Sequence, residues 1–166
     1  MLEDITLKSC LEFAVKTEEV GSQFYSRLAA KFTKNESISE IFTQLSKDEV
    51  VHRNQFAELL KKLPNTEGMI ASPEKREYIK AMSISEFFSP KHGPFANIDK
   101  IKDRDDALEK AFGLEKATLG FYDAVQDALG KNAILSQVIE AEKGHIITLM
   151  KVMVTGAKFR NLQDNW

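Results

Sequence analysis

The chain has 166 residues, 43% apolar and 29% charged, which suits one globular domain (1–166) able to bury a core without disulfides or a structural metal. Its net charge of -2 leaves no basic excess for neutralising phosphates, so a nucleic-acid surface is not expected. No apolar run approaches the ~20 residues that span a bilayer, and the acidic stretch MLEDITLKSC lacks the basic and apolar regions of a secretory signal, so the expected location is cytoplasmic. The single cysteine, Cys10, allows no internal disulfide and no four-cysteine iron or zinc centre, and it reads as a small buried side chain on a helix.

Four segments carry helical periodicity. The first is expected over about Thr6–Lys34, with an inward stripe of Leu7, Leu11, Ala14, Glu18, Gly21, Tyr25, Leu28 and Phe32. The second is expected over about Glu36–Leu63, with Ile38, Phe42, Leu45, Glu49, His52, Phe56 and Leu59 inward. Asn35 or Ser37 suits its N-cap, and Pro64 ends it. About forty residues follow, Pro64 to Lys102, far more than an ordinary helix–helix loop. Within them Pro73–Met82 could form a short helix and Ile84–Phe88 a further turn, while FFSPKHGPF carries three phenylalanines that need cover from the bundle or a partner.

The third long helix is expected over about Asp103–Leu129, with Leu108, Ala111, Glu115, Thr118, Tyr122, Val125 and Leu129 inward. Asp103, Asp105 and Asp106 suit its N-terminus electrostatically, and Gly130 closes it. The fourth is expected over about Asn132–Thr155, with Leu135, Val138, Glu142, His145, Leu149 and Val152 inward and Gly156 as its stop. The stripes repeat about every 3.5 residues, the seam of a shallowly crossed four-helix bundle. The expected fold is all-α: an antiparallel four-helix bundle with a long crossover between its second and third long helices.

The sequence also repeats itself. LEFAVKTEEVGSQFY, from Leu11, aligns with LEKAFGLEKATLGFY, from Leu108, and EVVH at Glu49–His52 answers EKGH at Glu142–His145. Two helical hairpins with pseudo-twofold symmetry are expected.

Each stripe is apolar at its ends and carboxylate-bearing near its middle, and two also place a histidine there. Glu and His three apart on a helix lie about 60° apart around the axis and about 4.5 Å along it, so both can reach one ion. Two such helices, plus one Glu from each of the others, give six candidate metal ligands: Glu18, Glu49, His52, Glu115, Glu142 and His145. This is the pattern of ferritin-like di-iron and di-manganese bundles. The four carboxylates would balance two divalent ions. Without metal, four carboxylates in a core would repel and lose hydration.

Of only three histidines, two have a Glu three positions earlier. The third, His92, has no such partner and reads as a loop or surface residue. Tyr25 and Tyr122, two turns beyond Glu18 and Glu115, could hydrogen-bond to ligand carboxylates or simply fill the core. Gly21 and Thr118 could open a face on the metals, though tight helix packing is the better reading. Glu12 and Glu109 match across the repeat but lie off the stripe, as helix-surface residues.

At these residues the chain resembles the rubrerythrin branch of the ferritin-like superfamily, over all four long helices. The resemblance implies a bundle holding two irons that reacts with peroxide or oxygen and is often dimeric. The aromatic crossover, which could cover a partner bundle, also suits a homodimer, and carboxylate and imidazole donors suit zinc or manganese as well as iron. It implies Glu18 and Glu115 as terminal ligands, Glu49 and Glu142 as bridges, and His52 and His145 each capping one ion. The sequence ends at Trp166 without the paired Cys-x-x-Cys motifs of an appended rubredoxin domain, so an external electron donor is expected. Thr118 stands where rubrerythrins carry a further carboxylate, which points to a slow peroxidase cycle. Val50 stands where bacterioferritins carry a haem-ligating methionine, so no haem is expected. The resulting expectation is a di-metal oxidoreductase reducing peroxide or oxygen. Its alternative is a non-enzymatic protein that stores or buffers iron or holds zinc or manganese.

Overall fold

The structure is a computed structural model and describes residues 5–63, 70, 72–83 and 98–163, of which 156–163 by backbone alone. Five α-helices occupy these residues: α1 (Leu7–Lys31), α2 (Glu36–Lys61), α3 (Pro73–Ser83), α4 (Arg104–Leu129) and α5 (Ala133–Gln163), with a 3₁₀ turn at Ile98–Lys100. The long helices begin where side chains can satisfy their first free N–H groups. At α1, Thr6 and Ser9 cap each other reciprocally, each backbone N–H donating to the other's hydroxyl at 3.0 Å. Asn35 accepts from Ile38 N at 3.3 Å, which decides the N-cap of α2 in its favour over Ser37. Asp103 accepts from Asp105 N and Asp106 N at 3.0 Å, and Asn132 accepts from Ile134 N and Leu135 N. Gly130 ends α4 with φ +80°, a conformation costly for any residue with a Cβ.

One expected boundary is wrong. Gly156 does not stop the last helix, which continues to Gln163. A helical glycine costs only about 1 kcal/mol, and the residues that follow, Ala157 and Lys158, are good helix formers with no proline among them. The short helix in the crossover forms as expected and packs on α4 through the buried Ile79. The turn expected at Ile84–Phe88, the FFSPKHGPF stretch and His92 lie outside the described residues.

The core divides into two apolar layers. One joins Leu11, Ala14, Phe56, Tyr122, Val125, Leu135 and Val138, and the other joins Tyr25, Leu28, Phe42, Leu45, Leu108, Ala111 and Leu149. The first layer therefore takes the start of α1, the end of α2, the end of α4 and the start of α5. The second takes the opposite ends. Besides the α1–α2 and α4–α5 hairpins, α1 packs along α4 and α2 along α5, so every neighbouring pair is antiparallel. Helices α2 and α4 run the same way, and the chain between them must climb the full height of the bundle. That geometry explains the long crossover. Cys10 is buried in the first layer, where burial pushes its thiol up to about 11 and keeps it unreactive. Glu12 is exposed and faces Lys8 at 3.9 Å, and Glu109 is exposed as well. Among the described residues, no helix is long and apolar enough to cross a membrane.

Candidate metal centre

Between the two apolar layers lies a polar one. Glu18 from α1, Glu49 and His52 from α2, Glu115 from α4, and Glu142 and His145 from α5 are all buried, and none of the four carboxylates is more than 4% exposed. The structure brings all six sequence-predicted residues together. They form two overlapping groups, Glu18–Glu49–His52–Glu142 and Glu49–Glu115–Glu142–His145, each with its ligand atoms within 4.8 Å of one another.

The distances show how the groups share members. His52 Nδ1 lies 3.6 Å from Glu18 Oε2, 3.6 Å from Glu49 Oε2 and 2.9 Å from Glu142 Oε1. His145 Nδ1 lies 3.9 Å from Glu49 Oε1, 3.3 Å from Glu115 Oε2 and 3.4 Å from Glu142 Oε2. Glu49 and Glu142 thus each turn one oxygen toward each histidine. Glu18 serves only the His52 side and Glu115 only the His145 side. The two rings stack with centroids 5.4 Å apart.

The donor set fits a pair of cations. Glu18 Oε2, His52 Nδ1 and both oxygens of Glu142 are buried without a hydrogen-bond partner. His52 Nδ1 and Glu142 Oε1 are close, yet their alignment does not make a hydrogen bond. Leaving such atoms unsatisfied costs about 1–3 kcal/mol each, more when charged, so atoms that converge without bonding one another call for something placed between them.

The metal-free electrostatics agree. Burial, followed by repulsion from Glu18 and Glu142, pushes the Glu49 carboxyl well above its ordinary range. Burial and Glu142 push Glu115 up to about 8, against the opposing pull of His145. At Glu142 burial acts upward, but contacts with Glu115, His145 and His52 outweigh it and hold that carboxyl below its ordinary value. Burial disfavours the charged imidazoles, yet the carboxylates overcome it. Glu142 and Glu18 raise His52 to about 9, and Glu115 and Glu142 raise His145 to about 11. The cluster attracts positive charge, and protons supply it when metal does not.

Two tyrosines brace the carboxylates crosswise. Tyr25 on α1 donates its hydroxyl to Glu115 Oε1 on α4, and Tyr122 on α4 donates to Glu18 Oε1 on α1. Burial and the adjacent carboxylates push both phenols well above their ordinary value, so they stay protonated as donors. Gly21 lies beside Glu49: a Cβ there would sit 3.5 Å from Glu49 Cγ and Cδ, an ordinary contact, so the close packing of α1 on α2 at this level does not itself demand a glycine. Thr118 is buried but turns its hydroxyl to the Leu114 and Glu115 carbonyls of its own helix.

Sequence reasoning missed Asp48. Its Oδ2 lies 3.4 Å from His145 Nε2, reaching from α2 across to the outer nitrogen of a ring on α5. A carboxylate directly before Glu-x-x-His is the available signal, but such residues are common on helix surfaces, and its partner is ninety-seven positions away in the chain.

Residues 9–89 match the family model described as Rubrerythrin, a span that takes in Glu18, Glu49 and His52. No curated protein and no solved structure matches the chain. The second Glu-x-x-His, beyond that span, enters the same cluster through the repeated hairpin. Over residues 9–89 the chain is similar to rubrerythrins, and its described residues form an all-α, ferritin-like helical bundle.

Proposed function

We propose that this protein binds two divalent metal ions, iron foremost, and uses them to reduce peroxide or oxygen. Glu18, His52 and one oxygen each of Glu49 and Glu142 would hold the first ion. Glu115, His145 and the remaining oxygens of Glu49 and Glu142 would hold the second. The observation that carries the reading is the sharing of Glu49 and Glu142 by two four-donor groups. A pair of bound irons supplies a ferrous/ferric couple, and the protein's part is to fix, neutralise and enclose it. Tyr25 and Tyr122 hold the outer carboxylates through their hydroxyl protons. Electrons would come from an external donor. Carboxylate and imidazole donors also suit zinc and manganese. The turned-in Thr118, which adds no carboxylate to the cluster, favours slow turnover and keeps a metal-storing or metal-buffering role as the second reading.

Anaerobic ferrous loading followed by stopped-flow mixing with peroxide or oxygen tests the redox role. Two irons per chain should bind and be oxidised faster than free ferrous ion. Two bound irons that react no faster than free iron would leave only the metal-holding role. A cytoplasmic homodimer is part of the same proposal, and light scattering that reports a monomer at micromolar concentration would remove the dimer.

A further inference from the structure

The two halves of the cluster are not equally supported. His145 has carboxylates at both ring nitrogens: Nδ1 faces Glu115, Glu142 and Glu49, and Nε2 faces Asp48. Asp48 is itself fixed, because Gln44 Nε2 donates to its other oxygen at 2.8 Å. Asp48 Oδ2 is within ion-pair reach of Nε2 at 3.4 Å, while Nδ1 bonds with Glu115 Oε2 at 3.3 Å; when a metal takes Nδ1, Asp48 is the group placed to receive the Nε2 proton and hold the ring. Among the described residues, His52 meets carboxylates through Nδ1 only. The repeat shows why. Aligning Glu49–His52 with Glu142–His145 pairs Gln44 with Gln137 but pairs Asp48 with Ala141. The second hairpin keeps the glutamine and lacks the acid.

The geometry points to two unequal metal positions, the tighter one at His145, with Asp48 as the positioning residue that makes it so. This rests on the metal-binding reading above. It assigns the order of filling: the His145 position first, the His52 position second and more readily emptied. A protein so built would hold one ion firmly and exchange the other.

Anaerobic titration of the metal-free protein with cobalt(II), followed by calorimetry and by the visible cobalt bands, separates the two steps. The wild type should bind two ions with distinct affinities. His145→Ala should remove the tighter step and His52→Ala the weaker. Asp48→Ala should weaken the tighter step about 10–100-fold, the usual effect of losing such a partner. The weaker step should stay within about twofold, as for sites that do not share the altered contact. Circular dichroism of each metal-free variant reports whether it folds. Two indistinguishable steps in the wild type, loss of the tighter step in His52→Ala, or an unaltered tighter step in folded Asp48→Ala would each overturn the assignment while leaving metal binding intact. A wild type that binds no cobalt would overturn the metal-binding reading itself.

Discussion

Glu49→Ala is expected to abolish metal binding at both positions at once. Glu49 gives one oxygen to the His52 side and one to the His145 side, so its removal strips a donor from each four-membered group. Loss of an outer-shell partner alone typically costs about 10–100-fold in affinity, so loss of a shared ligand should cost each position at least about a hundred-fold. His52→Ala, by contrast, removes a donor from one group only and should weaken mainly that position. Equilibrium dialysis against ferrous iron or cobalt(II) measures both. The fold should survive either change, because the apolar layers above and below, with Leu45 and Phe56 on α2 and Val138 and Leu149 on α5, supply the core. Glu49→Gln keeps the side chain's volume and removes a buried acid whose ionised form the cluster disfavours. The metal-free Glu49→Gln protein should therefore melt at or above the metal-free wild type at pH 8. A Glu49→Ala protein that still binds one ion at full affinity would show that Glu49 is not shared.

Metal and pH should act on stability in opposite senses. In the metal-free protein Glu115 titrates near 8 rather than 4.5, His52 near 9 and His145 near 11 rather than 6.5, and Glu49 is shifted the same way. Each raised value means that the folded state holds a proton the unfolded chain releases earlier. The associated stability is complete below the unfolded value and is lost as pH climbs to the folded one. For Glu115 that window runs from about 4.5 to about 8, and for the histidines from about 6.5 upward. The melting temperature of the metal-free protein should therefore fall steadily between pH 5 and pH 9. Glu142, held below its ordinary value, has the opposite sign and acts only in the acid range.

Metal must displace these protons, so its stabilising effect should grow over the same interval. Each site filled at a thousand times its dissociation constant adds about 4 kcal/mol, and each kcal/mol moves the melting point of a chain this size by about 2–4 °C. The loaded protein should thus melt on the order of 15 °C or more above the metal-free form at pH 8, with the gap closing toward pH 5. Calorimetry in buffers of different ionisation enthalpy should register the release of about three protons per pair of ions at pH 7, from Glu115, His52 and His145, with Glu49, shifted in the same direction, adding to that number. A gap that widens toward acid pH would show that metal does not compete with these protons.

The polar layer was legible in the sequence because helical periodicity converts spacing into direction. Glu18, Glu49, His52, Glu115, Glu142 and His145 interrupt apolar stripes at matching depth, so burial of the stripes carries the six inward together. The repeat added the symmetry, and the crossover's length implied parallel α2 and α4. Contacts between helices were not legible in the same way. That Tyr25 braces Glu115 and Tyr122 braces Glu18 depends on the antiparallel register of α1 on α4, which periodicity along one helix does not fix. Asp48 escaped for a related reason, since its partner lies on α5 and its own position on α2 resembles any surface acid. The end of α5 was misread because a glycine marks a helix stop only when the chain beyond it has reason to leave the helix.

Six buried side chains are expected to form one two-ion centre. An anomalous-difference map from crystals grown anaerobically with ferrous iron tests it most directly. Two peaks should appear in the polar layer, one beside Nδ1 of His52 and one beside Nδ1 of His145, with Glu49 and Glu142 beside both. A single peak, peaks served by other residues, or no peak in a fully loaded crystal would contradict it.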